Sequence, residues 1–281
     1  MGSGIAQAAA VAGFEVIARD LHDEQLALGR ATIERSLAKF VEKGKLGPEA
    51  KQETLARLRF TTDLQDLAAT DLVIEAVTED LELKNRQWTA LDTICPAQTI
   101  FASNTSSLSI MAMATVTGRP ERFIGLHFFN PVPMMPLVEV VRTISTSPEV
   151  LAAGTAFVRR LGKEPVAAKD SAGFIVNLLL IPYLLDAVRA VERGVASVSD
   201  IDTGMKLGCG HPMGPLTLLD FVGLDTACKV GEILYDEFRE SRYAPPPLLR
   251  RMVLAGWYGK KTGKGFYDWS VTPAVPSELG L

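Results

Sequence analysis

Apolar and polar positions along the first 170 residues alternate between two periods, one of short continuous apolar runs and one of helical stripes. Ile5 to Ala12 is a run of small apolar residues opened by Gly2 and Gly4 and closed at Gly13, the pattern of a helix. Phe14 to Asp20 reads as a strand ending in an acid. Asp23 to Lys45 carries Leu26, Ile33, Leu37 and Phe40 on one face and charges on the other. Gly47-Pro48 turns the chain into a partner helix, Glu49 to Leu58, so this pair reads as an inserted helical hairpin. Strands follow at Phe60–Thr62, Leu72–Val77, Thr99–Ser103, Phe123–Leu126, Leu137–Val141 and Glu164–Ala168, separated by helices at Leu81–Ile94 and Pro148–Leu161. The continuous apolar run of Leu72–Val77 predicts a strand buried on both faces. After residue 170 strand signals stop, and Phe174–Val191, Asp200–Leu207, Pro215–Phe221, Asp225–Phe238 and Pro247–Ala255 read as helices. The reading is therefore an α/β domain over residues 1–170 and an all-α domain over 171–281, with Val271 to Leu281 a loose tail. The first helix of the second domain is apolar nearly all round, which calls for burial against several helices or a second subunit.

Two polar residues interrupt these apolar runs. His127 ends the run Phe123 to Leu126 and is followed by Phe128, Phe129 and two prolines, so a buried strand delivers an imidazole to the lip of a sheet, where open α/β sheets bind ligands. Glu139 is a single acid within Leu137–Val141, and a buried carboxylate needs a partner, for which His127 is a candidate. Taken singly, each is more often a satisfied core histidine or a strand-end glutamate facing water. The strand at Thr99–Ser103 opens into Asn104-Thr105-Ser106-Ser107, a polar loop at a carboxyl end; Ser107 could equally cap the helix that follows. Gly2, the helix it opens, the next strand and Asp20 at its tip form the back half of a dinucleotide-binding βαβ unit, with Gly2 in the place of the third glycine that lets helix and strand pack closely. Lys39, Lys43 and Lys45 read as a solvated face that could also meet a phosphorylated ligand.

Composition narrows the classes. The chain has 281 residues, 47% hydrophobic and 22% charged, with a formal net charge of -4, which leaves no basic footprint for nucleic acid. No apolar run reaches membrane-spanning length and no signal peptide is evident. Cys95, Cys209 and Cys228 lie far apart in no metal spacing, which suits free thiols in a reducing cytoplasm.

Seven motifs in register carry a resemblance: Met1-Gly2-Ser3-Gly4-Ile5-Ala6-Gln7, Ser103 to Leu108, Gly125 to Pro133, Gly173-Phe174-Ile175-Val176-Asn177, Gly210 to Pro215, Leu218 to Asp225 and Gly259 to Tyr267. On these the chain resembles the L-3-hydroxyacyl-CoA dehydrogenase family, most closely its short-chain bacterial branch. The resemblance implies a Rossmann-type doubly wound sheet with an all-α C-terminal domain, NAD as cofactor, and interconversion of 3-hydroxyacyl-CoA and 3-oxoacyl-CoA thioesters. It implies His127 as general base and acid with Glu139 as its partner, and Ser106 and Asn177 at the substrate's oxygen and thioester. Asp20 would bind the adenosine ribose, and Glu79, Lys84 and Asn104 would lie along the cofactor. The C-terminal domain would form a homodimer. Imidazole exchanges protons near neutral pH, a carboxylate on its far nitrogen fixes the tautomer, and a hydroxyl and an amide can bind a developing alkoxide. An acid at the second strand tip favours NAD, while Arg19 beside it leaves NADP open.

The sequence also departs from the family pattern. It lacks the first strand and first two glycines of the dinucleotide motif, and Met1 stands where relatives carry an internal methionine, so an upstream segment of a dozen or so residues is expected to be missing. Pro136 stands where relatives carry lysine, and Leu178 where they carry arginine. Two further readings remain open: a hydroxy-acid or sugar-acid dehydrogenase of the same fold, and a catalytically silent fragment that no longer binds dinucleotide.

Overall fold

The computed structural model describes residues 1–280 and divides into two compact units, Met1–Ser171 and Ala172–Leu281. The first is α1 (Gly2–Val11), β1 (Val16–Arg19), α2 (Asp23–Glu42), α3 (Pro48–Ala56), β2 (Leu58–Thr61), β3 (Leu72–Glu75), α4 (Leu81–Ile94), β4 (Ile100–Ser103), α5 (Ile110–Ala114), β5 (Phe123–Phe128), β6 (Leu137–Arg142), α6 (Pro148–Arg160) and β7 (Glu164–Lys169). Strands β1 and β2 pair parallel to each other. The other five form a sheet ordered β3-β4-β5-β6-β7, parallel except where β5 meets β6. This is the Rossmann-like architecture, and the α2–α3 hairpin is inserted between its first two described strands.

Local chemistry sets the element ends. Asp80 accepts the Leu83 amide at 2.9 Å to start α4, Ser147 accepts that of Val150 to start α6, and Pro48 and Pro148 open α3 and α6, where a missing N–H costs nothing. Ser109, rather than Ser107, caps α5, because its hydroxyl reaches the Ala112 amide, while the Ser107 hydroxyl turns to Glu79. Strand β3 is not buried on both faces as its composition suggests: Leu72, Val73 and Ile74 are half-buried because β3 is the end strand of its sheet.

Period-two alternation sorts β5 into two faces. Ile124, Leu126 and Phe128 join Val138 and Val140 of β6, Val150 and Val158 of α6 and Ile5 of α1 in one core. The other face turns Phe123, Gly125 and His127 the opposite way; Trp88 of α4 packs there between Phe101 and Phe123, with ring centroids 5.0 and 4.7 Å apart.

The second unit comprises α7 (Val176–Glu192), α8 (Val198–Cys209), α9 (Pro215–Val222), α10 (Leu224–Phe238) and α11 (Pro247–Leu254) around a core including Leu184, Leu185, Val188, Leu219, Leu224 and Phe266. It is not wholly helical. Two-residue strands β8 (Tyr267–Asp268) and β9 (Val275–Pro276) pair antiparallel, and the tail expected to be loose is tied by Ser277, whose amide donates to the Phe266 carbonyl at 2.9 Å. Strands this short carry no readable period. Two buried carboxylates organise the loops here. Asp202 accepts from the Leu216 and Thr217 amides and from the Thr217 and Tyr267 hydroxyls. Asp220 accepts from the Phe266 and Tyr267 amides and the Trp269 indole N–H. Burial raises the Asp220 carboxyl above its ordinary range against the pull of these donors. A Cβ at Gly265 would run into the Asp220 carboxylate, which explains that glycine in the segment Gly259–Tyr267.

Candidate active site

The antiparallel register of β5 and β6 sets His127 directly opposite Glu139. Cross-strand partners point to the same side of a sheet, so two residues twelve apart in sequence meet through backbone geometry alone. The His127 Nδ1 and Glu139 Oε2 atoms are 2.6 Å apart, with His127 5% and Glu139 0% exposed. That is the length of a charge-assisted hydrogen bond. Phe129 lies over the imidazole with centroids 4.5 Å apart.

The polar loop after β4 is fastened to this place. The Phe128 amide donates to Asn104 Oδ1 at 2.8 Å, so Asn104 ties the loop to the end of β5, next to His127. Beyond it, Thr105, Ser106 and Ser107 gather on Glu79 Oε1. The Thr105 hydroxyl donates at 2.5 Å, the Ser106 amide at 3.0 Å, and the Ser106 and Ser107 hydroxyls at 3.3 Å. Lys84, with a fully buried side chain, lies against both Glu79 (3.2 Å) and Glu75 (2.7 Å). Glu75 in turn accepts the Ser103 hydroxyl at 2.7 Å. Burial pushes the Glu79 carboxyl up, but the Thr105 hydroxyl, the Lys84 charge and the Ser106 amide outweigh it and hold it below its ordinary value. Lys84, expected along the cofactor, lies between two carboxylates, one of which receives the serine loop. Glu75 was not singled out from sequence. Its signal was available, an acid inside the apolar run of β3, as with Glu139.

Gly2 opens α1, whose first turn has no side-chain cap, and helix N-terminal amides are suited to phosphate. A Cβ at Gly2 would make only ordinary contact with Ala76, at 3.9 Å, so the expectation that Gly2 is the close-packing glycine gives way to Gly4. There a Cβ would stand 2.9 Å from that of Val132, because α1 presses against the loop after β5. Asp20 is exposed beyond the end of β1, with one carboxylate oxygen accepting the Leu21 amide at 2.7 Å. Arg19 donates through Nε to the Thr62 carbonyl at 3.2 Å. An uncapped helix N-terminus and an exposed acid past the strand are the donor and acceptor set that a dinucleotide's pyrophosphate and ribose require. Among the described residues no cluster of side chains is suited to a metal ion.

A cleft of about 200 Å³ is lined by Ser3 and Gln7 of α1, Thr32 and Ser36 of α2, and Asn130 to Met134. Lys39 of α2 and Lys43, which caps its C-terminus, are exposed and continue at helical spacing from Ser36. Asn177 belongs to the second unit, in the first turn of α7, half-buried. In the first unit, β5 and β6 thus bring His127 to Glu139, Asn104 ties to Phe128 of β5, and the loops after β3 and β4 with α4 bring Glu79, Ser106 and Lys84 together.

A Rossmann-like sheet, a phosphate-suited helix start and a buried His–Glu pair define a nucleotide-dependent dehydrogenase. Residues 1–171 match the family description "3-hydroxyacyl-CoA dehydrogenase, NAD binding domain", and residues 173–269 match "3-hydroxyacyl-CoA dehydrogenase, C-terminal domain". The chain belongs to the 3-hydroxyacyl-CoA dehydrogenase family, and its first domain is of the NAD-binding type. It is 49% identical over 269 residues to the probable 3-hydroxybutyryl-CoA dehydrogenase of Deinococcus radiodurans, covering 96% of each chain. It is 48% identical over 271 residues to the 3-hydroxybutyryl-CoA dehydrogenase of Mycobacterium tuberculosis, covering 96% of this chain and 95% of that one. Among solved structures, the (S)-3-hydroxybutyryl-CoA dehydrogenase of Ralstonia eutropha superposes with a TM-score of 0.93 at 48% identity, covering 96% of both chains.

Proposed function

We propose that this chain interconverts (S)-3-hydroxyacyl-CoA and 3-oxoacyl-CoA with NAD, short-chain substrates such as 3-hydroxybutyryl-CoA and acetoacetyl-CoA first among them. The observation that carries the reading is the buried 2.6 Å contact between His127 and Glu139 at the end of β5. With Nδ1 held by the carboxylate, Nε2 is the nitrogen that takes the substrate's hydroxyl proton on oxidation and returns it on reduction. Glu139 stabilises the imidazolium formed in that exchange. Ser106 supplies a hydrogen bond to the oxygen on which charge develops, and Asn177 is assigned to the substrate as a further hydrogen-bonding group. Bound NAD supplies the hydride chemistry.

The α1 N-terminus and Gly2 are assigned to the pyrophosphate and Asp20 to the ribose. The Arg19 anchor on Thr62 supports NAD over NADP, since it draws that guanidinium to a backbone carbonyl. Glu79, Lys84 and Asn104 hold the loop that the cofactor and substrate share. The cleft beside α2 suits the substrate's pantetheine arm, and Lys39 and Lys43 beyond Ser36 suit the phosphates that follow it. In the second unit, exposed Leu179 of α7 and Leu207 of α8, 65% and 81% accessible, support self-association as a homodimer. Among the described residues no helix is long and apolar enough to cross a membrane. Three free cysteines, two of them buried, accord with a reducing cytoplasm, and the proposed reaction is one that fatty-acid β-oxidation would use.

The test is oxidation of NADH with acetoacetyl-CoA, run beside free hydroxy acids with NAD. Turnover of the thioester supports the reading; turnover of only the free acids would assign a different substrate class, and failure to bind NADH would remove the dehydrogenase reading for this chain.

A further inference from the structure

We propose that Lys163 is a positioning residue of this reaction, fixing the loop Pro131–Pro136 that connects the His127 strand to the Glu139 strand; the proposal rests on the functional reading above. Lys163 sits in the turn between α6 and β7. Its ammonium donates to the Val132 carbonyl and to the Met135 carbonyl, each at 2.6 Å. Among the described residues no carboxylate pairs with it. Burial lowers its pKa from the ordinary lysine value, so this charge is kept partly desolvated and given to backbone carbonyls.

The place it holds is not a generic loop. The neighbouring residue adds a third tie, the Glu164 amide donating to the Pro136 carbonyl at 2.7 Å. Inside the loop the Met134 and Met135 amides both turn back to the Pro131 carbonyl, at 2.9 and 3.1 Å. Val132, whose carbonyl Lys163 takes, is 2% exposed and is the residue against which α1 packs at Gly4. Asn130 to Met134 form one wall of the cleft. Lys163 thus fastens a segment that forms one wall of the cleft. The His127–Glu139 pair itself is held by strand register, independently of this loop. Loss of the ammonium should therefore loosen substrate binding and spare proton transfer. No sequence pattern marks Lys163, since a lysine after glycine at a helix end reads as an ordinary solvated residue.

The experiment compares wild type, Lys163→Met and Lys163→Arg as full chains. Amide hydrogen exchange of residues 129–136 is followed without ligand, and steady-state reduction of acetoacetyl-CoA by NADH in parallel. For Lys163→Met, removal of two charge-assisted bonds predicts exchange in this segment at least about fivefold faster, with the core strands unchanged. The KM for acetoacetyl-CoA should rise about tenfold while kcat stays within about threefold, the signature of lost binding rather than lost chemistry. Lys163→Arg, which keeps a charged donor, should recover most of both effects. Unchanged exchange over 129–136, or an unchanged KM, would overturn the proposal. So would exchange rising throughout the first unit with kcat falling in step, because that is a structural role only. Should Lys163→Met fail to fold, Lys163→Gln, which loses the charge, takes its place: faster exchange at 129–136 together with a raised KM would support the proposal, and either one unchanged would overturn it. A wild type inactive toward acetoacetyl-CoA would defeat the functional reading, whereas the ligand-free exchange still decides whether Lys163 holds the loop.

Discussion

Replacing Glu139 by glutamine probes the dyad with least disturbance. The side chain keeps its volume and can still accept from Nδ1, so the change removes charge and little else. Glu139 is wholly buried and 2.6 Å from the imidazole, so solvent cannot replace the lost carboxylate. A hydrogen bond to a charged partner contributes about 1.5–3 kcal/mol, against roughly 1 kcal/mol for a neutral one. That difference applies where His127 becomes cationic, in the transition state. A loss of about 0.5–2 kcal/mol, at 1.36 kcal/mol per tenfold, predicts a fall in kcat/KM of roughly 2- to 30-fold, carried by kcat. The assay is acetoacetyl-CoA-dependent oxidation of NADH, with NADH affinity by fluorescence as the control. The pair should also act as a unit: Glu139→Gln placed on a His127→Ala background should cost almost nothing further. A variant within twofold of wild type, or full additivity in the double variant, would refute the assignment of Glu139 to stabilising the imidazolium.

Three other outcomes follow from the packing and the buried charges. Gly4→Ala should destabilise the first unit by about 1–3 kcal/mol, since its Cβ meets that of Val132 at 2.9 Å, whereas Gly2→Ala should be nearly neutral; calorimetry of both variants tests the contrast. Asp220→Asn should cost about 2–4 kcal/mol, because the amide turns a donor toward N–H groups of Phe266, Tyr267 or Trp269 and leaves one or two unpaired; urea unfolding measures it. Glu79 has a folded pKa below its ordinary value, so its contribution is full above that value and is lost as pH falls through the folded one. The stability gap between wild type and Glu79→Gln should therefore be flat near neutral pH and close only in acid, and a gap that closes near pH 7 would contradict the sign.

What could be read in advance was whatever local pattern writes into the chain. Alternating runs and stripes gave the order of strands and helices, and a lone polar residue within an apolar run marked His127 and Glu139. Their direct pairing needed one more fact, the antiparallel register of β5 on β6, which neither strand's own sequence states. Glu75 carried the same mark as Glu139 but has its partner, Lys84, on a helix whose Glu82 and Arg86 face solvent. Burial of a single lysine is a property of three elements meeting, which no window of sequence contains. Lys163 is hidden for the same reason. The tail escaped because β8 and β9 are two residues each, and the loop before them is ordered by the Asp220 carboxylate rather than by apolar periodicity. Gly4 rather than Gly2 proved sterically necessary because the neighbour that forbids a side chain, Val132, is distant in sequence.

The most direct measurement is the rate of acetoacetyl-CoA-dependent NADH oxidation by the wild type and by His127→Ala, each at saturating NADH. General acid–base catalysis by a positioned side chain is worth about 10²- to 10⁴-fold, so the variant should keep its NADH affinity and lose turnover by a factor in that range. A His127→Ala enzyme that retained most of the wild-type kcat would contradict the central claim that the imidazole at the end of β5 moves the proton.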